Sequence, residues 1–417
     1  MNVTTGPDSV NIGTLTQEEW DAWYGTFERA LGGVPKAPEE RRLWRGLTEV
    51  ARSLAARSGD GIVGTAGAFF FQVSVPGGAL VPAAGLTMVS VQPTHRRRGL
   101  LRAMMRRLLD DTRERGEPLA LLTASEPDIY GRYGFGSAAV RLSLTIDSTR
   151  VALRTPEGTD AARLRLFPPE LVLDRCEALY AQRIRSRPGA LVRGPGWNRL
   201  PLLAPDAGRA AHSPLQCVTV DIAGEFSGYA RYSVEPVWAA HGAEGIVHVR
   251  DVEASSPEAY AALWRYLFDL DLTSSVVAEN RPTDDPLIHL VTDIRRCDAR
   301  VLDSLYLRLV DVGSALATRT YAVPVDIVIE VDDEFCPWNT GRWRLSGDGK
   351  GAECTRTRQA ADLALSAREL GAVYLGGVSL HGPAAAGQVR ELTIGALDHG
   401  AQAFRSATAP WLPYVAF

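Results

Sequence analysis

From Thr16 to Ala30 the chain reads TQEEWDAWYGTFERA, with Trp20, Trp23 and Phe27 recurring at the interval of one helical face. Thr16 followed three residues later by Glu19 has the form of a capping box, so an amphipathic helix is predicted to start there. A second helix is predicted over Glu39–Arg57. The pattern then changes period. GIVGTAGAFFFQVSVPG and ALVPAAGLTMVSV are rich in Val and Phe and punctuated by Gly and Pro, as strands are. Helical spacing returns at Leu100, Leu101, Met104, Met105, Leu108 and Leu109, which predicts a helix from about Gly99 to Arg115. LALLTAS reads as a short buried strand, and IYGRYGFGSAAVRLSLTI as a Gly- and aromatic-rich turn leading into another. Residues 1–150 therefore alternate as an α/β layered domain.

The segment RTPEGTDAARLRLFPPE, with its prolines and charges, is predicted to be a linker or irregular crossing. Over residues 151–300 the alternation returns in LQCVTVDIAGEF, SGYARYSVEPVW, GIVHVRDVEAS and the helix EAYAALWRYLFDLDL. It echoes the order of the first domain, without a residue-level repeat. Residues 301–417 add the strand DIVIEVDDEF, a hairpin in GRWRLSGDGKGAECTRT, the helical stretch LALSARELGAVYLGG and a final amphipathic stretch. The expected class is a multidomain α/β and α+β protein.

Composition narrows the function classes. A chain of 417 residues that is 46% hydrophobic and 23% charged is globular and too long for one core. Its 45 basic and 49 acidic residues give a net charge of -4, which offers no global attraction to nucleic acid or to an anionic membrane. The start MNVTTGPDSVNIGTL lacks a basic, then apolar, leader pattern, and no run approaches the roughly 20 apolar residues of a membrane span. A cytoplasmic location is expected, with no membrane and no nucleic-acid partner. The five cysteines are widely spaced and form no C-x-x-C pair, so reduced buried thiols are expected, and no metal.

One segment carries candidate chemistry. MVSVQPTHRRRGLLRAMMRRLLDD joins a strand, a Pro93 turn and a helix start, where free backbone N–H groups and the positive end of the helix dipole face an anion. Arg96, Arg97 and Arg98 add charge, and Gly99 permits close approach, which suits a pyrophosphate. A solvated basic helix and a nucleic-acid surface are the competing readings. The strand before the turn and the immediate helix start supply geometry that neither needs.

VSVQPTHRRRGLLRAMMRRLL resembles the acetyl-CoA motif of the GNAT acetyltransferase superfamily, and RRRGLL is the form of its Eis-like branch, although Leu101 stands where the superfamily has a small residue. SEPDIYGRYGFG, DPLIHLVTD and a carboxy-terminal aromatic extend the resemblance over essentially the whole chain. It implies tandem GNAT-like domains followed by a sterol-carrier-protein-like domain, the middle one lacking a phosphate-binding turn. It also implies an acetyl-CoA-dependent N-acetyltransferase acting by direct transfer, and a homohexamer. Val89 and Val91 would meet the pantetheine arm, Arg96, Arg97, Arg98, Gly99 and Leu100 the pyrophosphate, and Ser125 would complete the cofactor site. Tyr130 maps onto the general acid and the carboxylate of Phe417 onto the general base. On the acceptor side, the matches are Trp44 and, approximately, Glu28. A penultimate carboxylate of the family is replaced by Ala416.

The tail has its own signal. APWLPYVAF carries no charged side chain, two prolines and three aromatics, so it is expected to dock rather than fray. Aminoglycosides and polyamine-like amines are the acceptors that the resemblance implies. Protein lysines are the alternative, and a noncatalytic CoA- or lipid-binding regulator is the rival from another class.

Overall fold

The structure is a computed structural model, and it describes residues 9–33, 36–59, 61–203, 212–240 and 242–413. In chain order the first elements are β1 (Asn11–Thr14), α1 (Trp20–Ala30), α2 (Pro38–Leu47), β2 (Ser53–Ser58), β3 (Gly61–Ser74), β4 (Leu80–Val91), α3 (Leu100–Glu114), β5 (Leu119–Leu122), α4 (Pro127–Gly131) and β6 (Gly136–Asp147). There follow β7 (Arg163–Phe167), α5 (Leu173–Arg183), β8 (Gln216–Ile222), β9 (Glu225–Glu235), β10 (Trp238–Ala239), β11 (Gly242–Ala243), β12 (Gly245–Ala254), α6 (Pro257–Phe268), β13 (Thr273–Arg281), α7 (Leu287–Leu290) and β14 (Arg300–Leu309). The last elements are α8 (Val312–Ala317), β15 (Val325–Asp332), β16 (Gly341–Gly347), β17 (Ala352–Arg356), β18 (Leu363–Ser366), α9 (Ala367–Val373), α10 (His381–Ala385), β19 (Val389–Glu391) and α11 (Ala396–Phe404). They form two compact units, residues up to 139 with 305–407, and residues 140–304 with the segment from Thr408.

In the first unit the strands run β1-β2-β3-β4-β5-β14. All neighbours are antiparallel except β4 and β5, which are joined by the crossover helix α3 and pair in parallel. The helix buries Leu100, Met104, Met105, Leu108 and Leu109, the stripe expected of it, while Leu101 is only partly covered. A second sheet of order β17-β16-β15-β18-β19 holds the predicted hairpin, whose turn is closed by Asp348 N–H donating to the Gly351 carbonyl at 2.9 Å.

Three local expectations are corrected. The helix predicted over Glu39–Arg57 ends at Leu47, where the Thr48 hydroxyl donates to the Trp44 carbonyl at 2.7 Å. Ser53–Ser58 is the strand β2, which pairs with both β1 and β3 and turns Leu54 and Ala56 into the core. Pairing on both sides outweighs the helix propensity of Leu, Ala and Arg there. Leu363–Ser366 of the predicted helical stretch is likewise a strand, in parallel with β15, and only Ala367–Val373 is helical. The expected linker contains β7, which forms the sheet edge beside β8.

In the second unit the order is β6-β13-β12-β9-β8-β7, with β12 and β13 parallel across α6 as β4 and β5 are across α3. Here α6 buries Trp264, Leu263 and Leu267, and α5 packs Cys176 and Leu179 with Tyr229 and Cys217. The tail docks as expected over its described part. Trp411 and Leu412 are 6% and 3% exposed, Trp411 Nε1 donates to Asn280 Oδ1 at 2.9 Å, and the Arg281 guanidinium lies 5.4 Å from the indole centroid. Gly189 makes this possible, because a Cβ on it would crowd the Trp411 backbone.

Candidate active site

The parallel pairing of β4 with β5 sets the site. Among the described residues it spans only Ala83–Gly85 opposite Leu119–Leu121, so β4 runs on to Val91 without β5 at its side. Along that stretch the edge groups of β4 facing away from β3 are available to an extended, amide-bearing ligand. A bulge aims them. Ser90 pairs with Thr65 but Thr87 with Gly67, so Met88 and Val89 stand opposite Ala66 alone, and Met88 takes φ 50°. Thr65 holds the bulge, its hydroxyl 2.6 Å from the Met88 carbonyl and 2.7 Å from Ser90 Oγ. Val89 and Val91 lie on this stretch, with their side chains against the core.

Beyond Val91 comes the turn. Gln92 N–H donates to the Val63 carbonyl at 2.8 Å, Arg97 adopts φ 64°, and Gly99 caps α3 in the left-handed region at φ 79°. No side chain caps the helix, and its first return bond is Ala103 N–H to the Gly99 carbonyl at 3.0 Å. The N–H groups of Leu100, Leu101 and Arg102 thus have no acceptor within the helix. Arg96, Arg97 and Arg98 are exposed around this start, with Arg96 Nε 3.4 Å from the Val91 carbonyl and Arg98 Nη2 3.4 Å from that of Thr94. Donors, dipole and three cations converge on one small region, which suits a diphosphate. The corresponding start of α6 differs: Ser256 Oγ accepts from Ala259 N–H at 3.3 Å, and Pro257 occupies the first turn.

Farther along α3 the arginines are engaged. Arg106 lies 4.2 Å from the Phe335 ring centroid, Arg113 4.7 Å from that of Trp338, and Arg107 pairs with Asp111 at 2.9 Å. This helix face is occupied by the aromatic loop after β15 rather than presented as a basic surface.

Past β5 the chain passes Ser125 and enters α4, which carries Tyr130. The phenol is half-buried against the first core, its ring edge-on to Phe135 at 6.2 Å. Burial, then the neighbouring Tyr133 and Glu126, pushes its pKa up to about 12, so it stays protonated at neutral pH. Its turn is held firmly. Tyr133 and Phe135 N–H groups donate to the Tyr130 carbonyl, and buried Arg308 donates to the Tyr133 carbonyl while pairing with Asp333. Gly134 sits at φ 79° against the Arg308 guanidinium, and a Cβ on Gly136 would collide with the Arg368 carbonyl and the Ala372 nitrogen of α9. The closely spaced glycines thus serve contacts with β14 and with α9.

The two acceptor candidates sit within α1 and α2. Trp44 is 7% exposed, stacked on Phe69 at 6.3 Å. Glu28 accepts from Arg41 at 2.8 Å and from Lys36 N–H at 3.0 Å, fastening the end of α1. Both make packing contacts here. Phe417 lies outside the described residues. Sequence reasoning missed the Thr65–Ser90 clamp and the Arg308–Asp333 pair. The first leaves no pattern in a strand, and the second joins residues far apart in the chain.

Family models bear on the same regions. An acetyltransferase (GNAT) domain matches residues 11–138, a second acetyltransferase (GNAT) domain matches 189–309, and a sterol carrier protein domain matches 312–413. An uncharacterized N-acetyltransferase of Streptomyces avermitilis is 59% identical over 97% of this chain and 99% of its own. N-acetyltransferase Eis of Mycobacterium tuberculosis is 35% identical over 90% of this chain and 93% of its own. The crystal structure of Eis1 from Mycobacterium abscessus superposes with a TM-score of 0.83 at 34% identity, covering 98% of this chain and all of that one. The bulged strand, the open helix start and the tyrosine beyond β5 thus occur in a chain that belongs to the Eis family of GNAT N-acetyltransferases.

Proposed function

We propose that the chain transfers an acetyl group directly from acetyl-CoA to an amine of a cationic small molecule, of aminoglycoside or polyamine type, within a ternary complex. The GNAT fold implies acetyl-CoA use. The observation that carries the proposal is the uncapped start of α3 at Gly99, set beside a β4 edge that β5 leaves open. Arg96–Arg98 and the N–H groups from Gly99 onward would hold the diphosphate, and the Val89–Val91 backbone would hold the amides of the pantetheine arm. Ser125 would close the cofactor site where the chain leaves β5.

The amine lone pair attacks the thioester carbonyl carbon, the C–S bond breaks, and charge develops on sulfur. Tyr130 meets that charge. A phenol held near pKa 12 is a poor net proton source toward a thiol of pKa about 8.5, so its main contribution is a charge-assisted hydrogen bond to the departing sulfur. The proton lost by the amine passes to the Phe417 carboxylate through water. Assembly as a homohexamer in the cytoplasm belongs to the same proposal, and molar mass in solution reports the assembly.

The test is thiol release from acetyl-CoA across an amine panel that includes an aminoglycoside, a polyamine and a lysine peptide, for wild type, Tyr130→Phe and a chain lacking Phe417. Turnover of the first two amines with loss of about 10²-fold or more in each altered chain is expected. Turnover of the peptide alone moves the acceptor to protein lysines. Thiol release from no amine, together with sterol or fatty-acid binding, overturns catalysis.

A further inference from the structure

Where β9 ends beside β12, the second unit gathers three side chains of metal-binding type, away from α3 and β4. Glu235 ends β9, and His248 lies on β12 opposite Ser233, so both point from the same face of the sheet. His212 comes from the segment before β8, which is tied to β9 by Ser213 N–H donating to the Val234 carbonyl at 2.7 Å and by Val234 N–H donating to Ser213 Oγ at 2.9 Å. A bulge at Arg250 resets the alternation of β12, so His248 shares its face with Asp251, which pairs with Arg231.

The geometry is convergent. Nε2 of His248 lies 3.0 Å and Nε2 of His212 3.7 Å from the same Glu235 oxygen, Oε2, and one donor atom from each residue falls within 4.8 Å of the others. The imidazole centroids are 4.4 Å apart. Four ligands at about 2.0–2.1 Å around a tetrahedral ion are about 3.3 Å from one another, a value the two observed separations bracket. Ser233 Oγ lies 3.4 Å from Nδ1 of His212, placed to orient the ring so that Nε2 faces inward. The His212 side chain is 8% exposed, while those of His248 and Glu235 are 25% and 34% exposed, so the cluster is seated in protein on one side and open to solvent on the other.

We propose that His212, Glu235 and His248 bind one divalent transition-metal ion of the zinc class, with water in the remaining position. Two imidazoles and a carboxylate form a ligand set that zinc takes with an open site, and imidazole favours zinc, nickel, copper and cobalt over magnesium or calcium. The ion would tie the His212 segment to β9 and β12, a staple for the second unit rather than a part in acetyl transfer.

The test uses the untagged full chain, dialysed against Co²⁺ and then Zn²⁺, with metal content and Co²⁺ visible absorption as readouts. Expected are one Co²⁺ per chain, absorption of the intensity of four-coordinate Co²⁺, and its loss on adding Zn²⁺. His248→Gln and Glu235→Gln should each weaken binding about tenfold or more, whereas His381→Ala, which removes the exposed His381–Asp398 pair, should not. Far-UV circular dichroism and a metal-free unfolding midpoint that match wild type in both Gln variants confirm that they fold. Fewer than one ion per chain, or wild-type affinity in His248→Gln, overturns the proposal.

Discussion

Replacing Arg308 by Met probes what holds the Tyr130 turn. Arg308 is fully buried, pairs with Asp333, itself 3% exposed, and supplies a donor to the Tyr133 carbonyl. Removing one partner of such a pair costs about 3–5 kcal/mol, because a carboxylate is left in a dry site. The orphaned carbonyl adds about 1–3 kcal/mol. Asp333 keeps two donors, the Cys336 N–H at 2.9 Å and the Asn339 side-chain amide at 3.0 Å, and Met fills most of the lost volume, so a net loss of about 3–5 kcal/mol is expected. In a unit of this size the loss lowers the melting midpoint by roughly 6–20 °C. Differential scanning calorimetry resolves it, since the two units can melt separately. Adding Asp333→Asn removes the unpaired charge while keeping an acceptor for Cys336 N–H, and should recover about half of the loss. A single variant within about 1 kcal/mol of wild type, or no recovery in the double variant, refutes the reasoning.

Three further outcomes are expected. Because burial raises the Tyr130 pKa from 10 to about 12, the folded state keeps its proton while the unfolded chain loses it, so stability falls as pH rises from about 10 to about 12. Urea midpoints across that range should fall less steeply in Tyr130→Phe than in wild type. Gly136→Ala forces a Cβ into the α9 backbone and should cost about 2–4 kcal/mol by thermal unfolding, whereas Gly116→Ala, where a Cβ meets nothing within 4 Å but φ is 72°, should cost about 1–2 kcal/mol. Trp411→Ala removes a buried indole and its bond to Asn280, so the second unit should lose about 3–5 kcal/mol, read as a lower midpoint of its own calorimetric transition.

Much of the fold was legible where one period dominated. The Val- and Phe-rich runs of β3 and β4, buried on both faces over most of their length, and the helical stripe of α3, whose one face meets the core, stood in the sequence. Ser53–Ser58 was not legible, since its residues favour a helix in isolation and only two flanking strands decide otherwise. The site divides in the same way. Arg96–Gly99 is a contiguous signal, whereas the Met88 bulge depends on the Thr65 hydroxyl across the sheet, and Trp44 on stacking with Phe69. The cysteines, weighed alone, gave no reason to expect a metal. His212, Glu235 and His248 meet through the register of β9 with β12 and the docking of the segment before β8, which spacing along the chain does not express.

The two crossover helices make the chain its own control. At Gly99 the helix start leaves its donors to whatever anion arrives, while at Ser256 a hydroxyl has already taken one and Pro257 has removed another. Equilibrium dialysis should therefore count one acetyl-CoA per chain, not two. Ser256→Gly alone should not add a second, because a proline cannot return the N–H it lacks. A duplicated architecture can thus keep its shape and packing while a few atoms at one helix end decide which copy meets the ligand.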